Sequence, residues 1–141
     1  MIRRMLLDTG PLVALLDRGD RYHAWAVAQW ERIEPPLLTC EAVLSEACFL
    51  LREYPPGVKA IWELVDRGIV AVSFRLADHA AAIARLMAKY VSTPMSLADA
   101  CLVRMAELDS KSAVLTLDGD FRIYRKSNRQ VVPVIMPEEE R

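Results

Sequence analysis

Short apolar runs alternate with longer amphipathic stretches along this chain. Met5-Leu6-Leu7 stops at Asp8 and predicts a buried strand. Leu37-Leu38-Thr39, Ile69-Val70-Ala71-Val72, Ala113-Val114-Leu115-Thr116-Leu117 and Val131-Val132-Pro133-Val134-Ile135 repeat that signature. Between them the apolar positions recur at helical spacing, predicting helices over residues 10–17, 22–33, 41–52, 58–66, 76–90 and 96–108. Punctuation agrees: Pro11 suits a first helical turn, Glu34-Pro35-Pro36 and Tyr54-Pro55-Pro56-Gly57 act as stops, and Gly68 follows a helix end. Wholly apolar strands alternating with helices predict an α/β domain whose mainly parallel sheet is covered on both faces. Pro133 cannot donate to a ladder, which places the last strand at an edge. With no repeat, low-complexity segment or linker, residues 1–141 form one domain.

Composition narrows the class without changing the architecture. Of 141 residues, 53% are hydrophobic and 26% charged, which is globular rather than disordered. No apolar stretch reaches the roughly 18 residues of a membrane span, and Met5 to Leu7 is too short for a signal peptide, so a soluble, cytoplasmic protein is expected. Cys40, Cys48 and Cys101 lack the close spacing of a zinc site, and the last two fall on apolar helical stretches as buried thiols. A formal net charge of −1 gives no global attraction to nucleic acid, so any such binding needs a local patch.

Four acids occur in unusual company. Asp8 and Asp118 follow strands, and in parallel sheets sites lie beyond the carboxyl ends of the strands; such residues also cap turns. On a helical wheel Glu46 flanks the apolar arc of residues 41–52 beside Leu50, while Glu41, Ser45 and Arg52 take the solvated face. Asp99 sits between Ala106 and Val103 on a helix apolar nearly all round, although Ser96-x-x-Asp99 also matches a capping box. Four converging carboxylates repel one another, and these segments supply no matching Lys or Arg. A hard divalent cation, Mg²⁺ or Mn²⁺, resolves the conflict and activates a water for in-line attack on a phosphodiester. Neither His23 nor His79 completes a Ser-His-Asp set, and no protein nucleophile is required.

The order LLDTGPLVALLD, TCEAVLSEACFLL, MSLADACLVRMAE and VLTLDGDFRIYR resembles the PIN-domain nucleases, especially the toxins of VapBC-type toxin–antitoxin pairs, over essentially the whole chain. The resemblance implies a three-layer α/β/α fold, Mg²⁺- or Mn²⁺-dependent endoribonuclease activity on tRNA or rRNA, a homodimer, and an antitoxin that holds it inactive. It assigns Asp8, Glu46, Asp99 and Asp118 as catalytic metal ligands, offers Asp120 as an outer ligand, and gives Thr9 and Thr116 the role of orienting the carboxylates. Gly119 departs mildly from the polar or basic residue that the family often carries.

Arg122, Arg125, Lys126 and Arg129 supply positive charge beside this constellation for RNA phosphates, with Tyr124 available to stack on a base. Trp25, Trp30 and Trp62 lie on apolar helical faces and are expected in the core. Asp8-Thr9-Gly10 also spells the aspartic-protease triplet, but that family pairs two such loops on a β-rich fold. Phosphatases of the haloacid dehalogenase type want an Asp at position 10, where this chain has Gly. A non-catalytic binding module of the same fold and a stand-alone RNA-processing nuclease are the remaining alternatives.

Overall fold

A computed structural model of the chain describes residues 2–127 and 129–138. Five strands form the central sheet in the order β3-β2-β1-β4-β7: β1 (Arg4–Leu7), β2 (Leu37–Leu38), β3 (Val70–Ala71), β4 (Ser112–Leu115) and β7 (Val134–Ile135). Every neighbouring pair in it is parallel. β1 and β4 are the longest strands and pair from Arg4 with Ser112 to Leu7 with Leu115, so their carboxyl ends finish side by side. A separate antiparallel hairpin joins β5 (Arg125–Lys126) to β6 (Gln130–Val131).

Alternation along the strands builds the layers. Leu6 and Val114 face one side, with Ile83 and Leu86 of α5 (Ala80–Lys89) and the buried residues of α6 (Leu97–Leu108). Met5, Leu7, Ala113 and Leu115 face the other, with Leu12 of α1 (Thr9–Leu16), Leu44 and Ala47 of α3 (Glu41–Leu50) and Ile61 of α4 (Pro55–Asp66). α2 (His23–Arg32) adds Trp25 and Trp30 to that second core. Period-two strands between helical layers give the three-layer α/β/α arrangement.

The structure departs from the sequence expectations where local chemistry has two outcomes. Pro55-Pro56-Gly57 opens α4 instead of separating two helices, because a proline in the first turn lacks only an N–H that would go unpaired there. Gly57 is required at that turn, since a Cβ would stand 2.8 Å from Tyr54 Cδ2. The segment 131–135 is not one strand: β6 pairs with β5, while β7 pairs with β4 at the sheet edge. Pro133 lies between them and its carbonyl accepts the Val114 N–H at 2.8 Å. Residues 76–79 form a 3₁₀ turn ahead of α5.

Candidate active site

The sheet ends at Leu7 and Leu115, and the chain there turns into the site. The Asp8 N–H still donates to the Leu115 carbonyl at 3.1 Å, so Asp8 leaves the sheet in register with β4. Its carboxylate caps α1, Oδ1 accepting the Thr9 N–H at 2.8 Å, while Oδ2 accepts the Thr116 hydroxyl at 2.7 Å. The same Thr116 oxygen accepts the Asp118 N–H at 2.9 Å and so ties the β1 and β4 ends together. Thr39, fully buried, donates its hydroxyl to the Leu7 carbonyl at 2.7 Å and fixes the last residue before Asp8.

Each of the other acids is held through one oxygen. Thr9 donates its hydroxyl to Glu46 Oε2 at 3.2 Å. Asp120 donates its N–H to Asp118 Oδ1 at 2.9 Å, closing the 3₁₀ turn Gly119–Arg122. The Asp99 N–H donates to Ser96 Oγ at 3.0 Å and Asp99 Oδ2 accepts the Ser96 N–H at 3.4 Å, a complete capping box. Tyr124, wholly buried, donates its hydroxyl to that same Oδ2 at 2.9 Å. Among the described residues Glu46 Oε1, Asp99 Oδ1 and Asp118 Oδ2 accept no hydrogen bond.

These four carboxylates line one open cleft of about 550 Å³, together with Thr9, Ser96 and Leu50. No Lys, Arg or His is among its lining residues. Burial pushes the Asp8 carboxyl up to about 6, against the Thr116 and Thr9 hydrogen bonds, and the charges of Asp99 and Asp118 add to the rise. Burial also raises Asp99, against its bonds from Tyr124 and Ser96, with Asp118 adding to the rise. The donors are all hard oxygens in a concentration of uncompensated negative charge, the chemistry that suits Mg²⁺ or Mn²⁺. Among the described residues no three Asp, Glu, His or Cys side chains close into a ready-made cage. An ion here would keep much of its water shell, as Mg²⁺ usually does.

The structure distributes the remaining candidates differently from the sequence expectation. Tyr124 cannot stack on a base: its ring packs edge-on against Phe121 and Tyr90, at centroid distances of 5.3 and 5.1 Å, and burial with the Asp99 bond raises its phenol well above the usual range. Lys126 is buried too and is not a solvated phosphate contact. Arg122 lines a hollow that shares Leu117 and Gly119 with the cleft and also includes Arg21 and Tyr22. Arg125 points to a pocket between α5 and α6, and Arg129 is exposed beside β6. Asp120 does not line the cleft; its part is the N–H that orients Asp118. Asp118 stands beyond Thr116 and Leu117 instead of directly after the strand. A Cβ at Gly119 would meet open space, so the loop conformation does not demand glycine.

Both histidines have structural partners. His23 Nδ1 lies 2.7 Å from the Ala14 carbonyl, and His79 stacks on Phe74 while accepting from Arg104 Nε at 3.2 Å. Trp62 is 51% exposed on α4, outside the core where its apolar neighbours had placed it. Cys40 and Cys101 are buried free thiols and Cys48 is half-buried. Ser96 forms the capping box that its spacing to Asp99 suggests, whereas Tyr124 supports the site instead of meeting a base; Phe121 and Tyr124, three apart, are the signal of a turn with one face inward.

Comparisons with known proteins follow the same outline. The family model of the PIN domain matches residues 5–127. The crystal structure of the Mycobacterium tuberculosis toxin VapC20, described as cleaving the sarcin–ricin loop, superimposes with a TM-score of 0.73 over 82% of this chain and 91% of that one, at 22% identity. At that identity the likeness is one of fold. No curated protein matches the chain by sequence.

Proposed function

This chain belongs to the PIN-domain family, and we propose that it is a divalent-metal-dependent endoribonuclease, the toxin of a VapBC-type pair. The observation that carries the reading is the cleft in which Asp8, Glu46, Asp99 and Asp118 meet with no cation among the lining residues. Asp8, Glu46, Asp99 and Asp118 would hold Mg²⁺ or Mn²⁺, with Asp120 acting from outside through its hold on Asp118. When bound, the ion supplies Lewis-acid polarisation of a phosphoryl oxygen and a water acidic enough to attack in line.

The chain's own residues orient and hold. Thr116 fixes the Asp8 carboxylate and, through the Asp118 N–H, the next turn. Thr9 sets Glu46, and Tyr124 with Ser96 aims Asp99 so that its Oδ1 stays available. Arg122 and Arg21, in the adjoining hollow that shares Leu117 and Gly119 with the cleft, neutralise phosphates of the bound strand and offset the site's negative charge. As with other toxins of this kind, a cytoplasmic homodimer restrained by a cognate antitoxin is the working assembly.

The test is single-turnover cleavage with purified, partner-free protein, using a sarcin–ricin-loop hairpin RNA and total cellular RNA as substrates. Cleavage is expected with Mg²⁺ or Mn²⁺, is abolished by EDTA, and falls at least 100-fold in Asp8→Asn and Asp99→Asn. Cleavage that persists in EDTA, or equally in both variants, overturns the reading.

A further inference from the structure

A second charged feature lies on the flank of the molecule. Between α5, α6 and β5, Arg85, Lys89, Arg104, Arg125, Glu107 and Ser127 line a pocket of about 230 Å³. Four cations face one acid there, in a chain whose formal net charge is −1. Like charges gathered this way repel, and an anion between them relieves the repulsion.

Two of the cations are held in place. Arg125 Nη1 donates to the carbonyls of Arg122, Ile123 and Tyr124 at 2.7, 3.1 and 2.9 Å. Arg104 donates Nε to His79 Nδ1 at 3.2 Å, and its Nη1 stands 3.5 Å from Glu107. Glu107 divides itself between that guanidinium and the Ser127 N–H, which it accepts at 2.7 Å. Ser127 holds the turn with a φ of 47°, in the left-handed region. Arg85 makes no hydrogen bond or ion pair among the described residues, and Lys89 lies over the Tyr90 ring at 5.3 Å. Guanidinium groups fixed in advance lose little entropy when they meet an anion, and their forked donors match phosphate oxygens.

The pocket is tied to the cleft through the protein interior. Arg125, which lines the pocket, directly follows the buried Tyr124, whose hydroxyl donates to Asp99 of the cleft at 2.9 Å. We infer that this pocket is a second phosphodiester subsite, which grips the backbone of the same RNA strand a few nucleotides from the bond being cut. The inference rests on the ribonuclease reading for its substrate, and it gives that substrate a second anchoring point on the α5–α6 flank, outside the acidic cleft. It also assigns Arg125 to a phosphate outside the cleft rather than to the scissile one.

The experiment measures binding of a fluorescein-labelled, mixed-sequence 20-nucleotide single-stranded RNA to Asp8→Asn protein across a salt series. The double variant Arg85→Gln/Lys89→Gln, on the exposed face of α5, is compared with Arg52→Gln/Arg67→Gln, which makes the same charge change elsewhere. The pocket variant is expected to bind at least fivefold more weakly. Its plot of log K against log salt should be shallower by about 1.4, from about 0.7 per phosphate contact on single strands. Inorganic phosphate at constant ionic strength should not displace the RNA. Equal affinity and slope in the two double variants overturn the subsite, and so does displacement by phosphate, which reassigns the pocket to small anions. Failure of the ribonuclease reading looks different: RNA would bind with the predicted slopes while no metal-dependent cleavage occurs in protein with Asp8 intact.

Discussion

At Asp8 the fold holds an acid whose folded-state carboxyl titrates near 6, against an ordinary value of 3.8. The folded chain therefore binds that proton more tightly than the unfolded chain. Its contribution to stability is full below about pH 3.8 and is lost as pH rises through about 6, leaving a cost of about 3 kcal/mol at neutral pH. Asp8→Asn removes the charge and keeps an oxygen for the Thr9 N–H. In EDTA it is expected to melt several degrees above the parent at pH 7.5, with the gap closing towards pH 4.5. Scanning calorimetry at both pH values checks this, and a variant less stable at pH 7.5 contradicts it. Metal affinity of the parent should fall as pH drops through 6, because only the ionised carboxylate is a ligand.

Tyr124 links the core to the site. Tyr124→Phe keeps the ring between Phe121 and Tyr90 but releases Asp99 Oδ2. Stability should change by about 1 kcal/mol, the usual worth of one hydrogen bond. Single-turnover cleavage should slow roughly tenfold, equivalent to about 1.4 kcal/mol of barrier. The basic letters around position 124 concealed this residue's place. Read along the sequence, Arg122 to Arg129 is a solvated loop; in the fold, the 3₁₀ turn at Gly119–Arg122 rotates Phe121 and Tyr124 into the core.

At the scale of elements, the capping box joins stability to the site. Ser96 caps α6 and, through the same geometry, helps to aim Asp99. Ser96→Ala should cost about 1 kcal/mol in urea unfolding, the usual loss for an N-cap, while Ser96→Thr stays within a few tenths. The alanine variant should also weaken metal binding. The box was legible in the sequence, and so was each helix with a full apolar face. What was not legible follows from short range: strands of two residues such as β5, β6 and β7 carry no period to read. Pro55-Pro56-Gly57 spells a stop and a start equally well until Tyr54 packs over Gly57.

Over the whole molecule, two parallel strands ending side by side bring Asp8 and Asp118 together, and α3 and α6 carry Glu46 and Asp99 to the same cleft. That convergence was readable because Asp8 and Asp118 follow predicted strands, while Glu46 and Asp99 lie at or within apolar helical faces that water-facing acids avoid. The hydroxyl links through Thr9 and Thr116 came only from the family resemblance; their partners depend on strand register and a long-range meeting of loops. The split of the basic segment between Arg122 in the hollow beside the cleft and Arg125 on the flank lay beyond the sequence for the same reason. Among the described residues no helix is long and apolar enough to cross a membrane.

If the acidic cleft is a divalent-metal site, calorimetric titration of EDTA-stripped protein with Mn²⁺ at pH 7.5 will show it. Saturable binding in the parent, weakened at least tenfold in both Asp8→Asn and Asp99→Asn, is the predicted result. Binding of equal strength in the parent and both variants, or none in any of them, would contradict it.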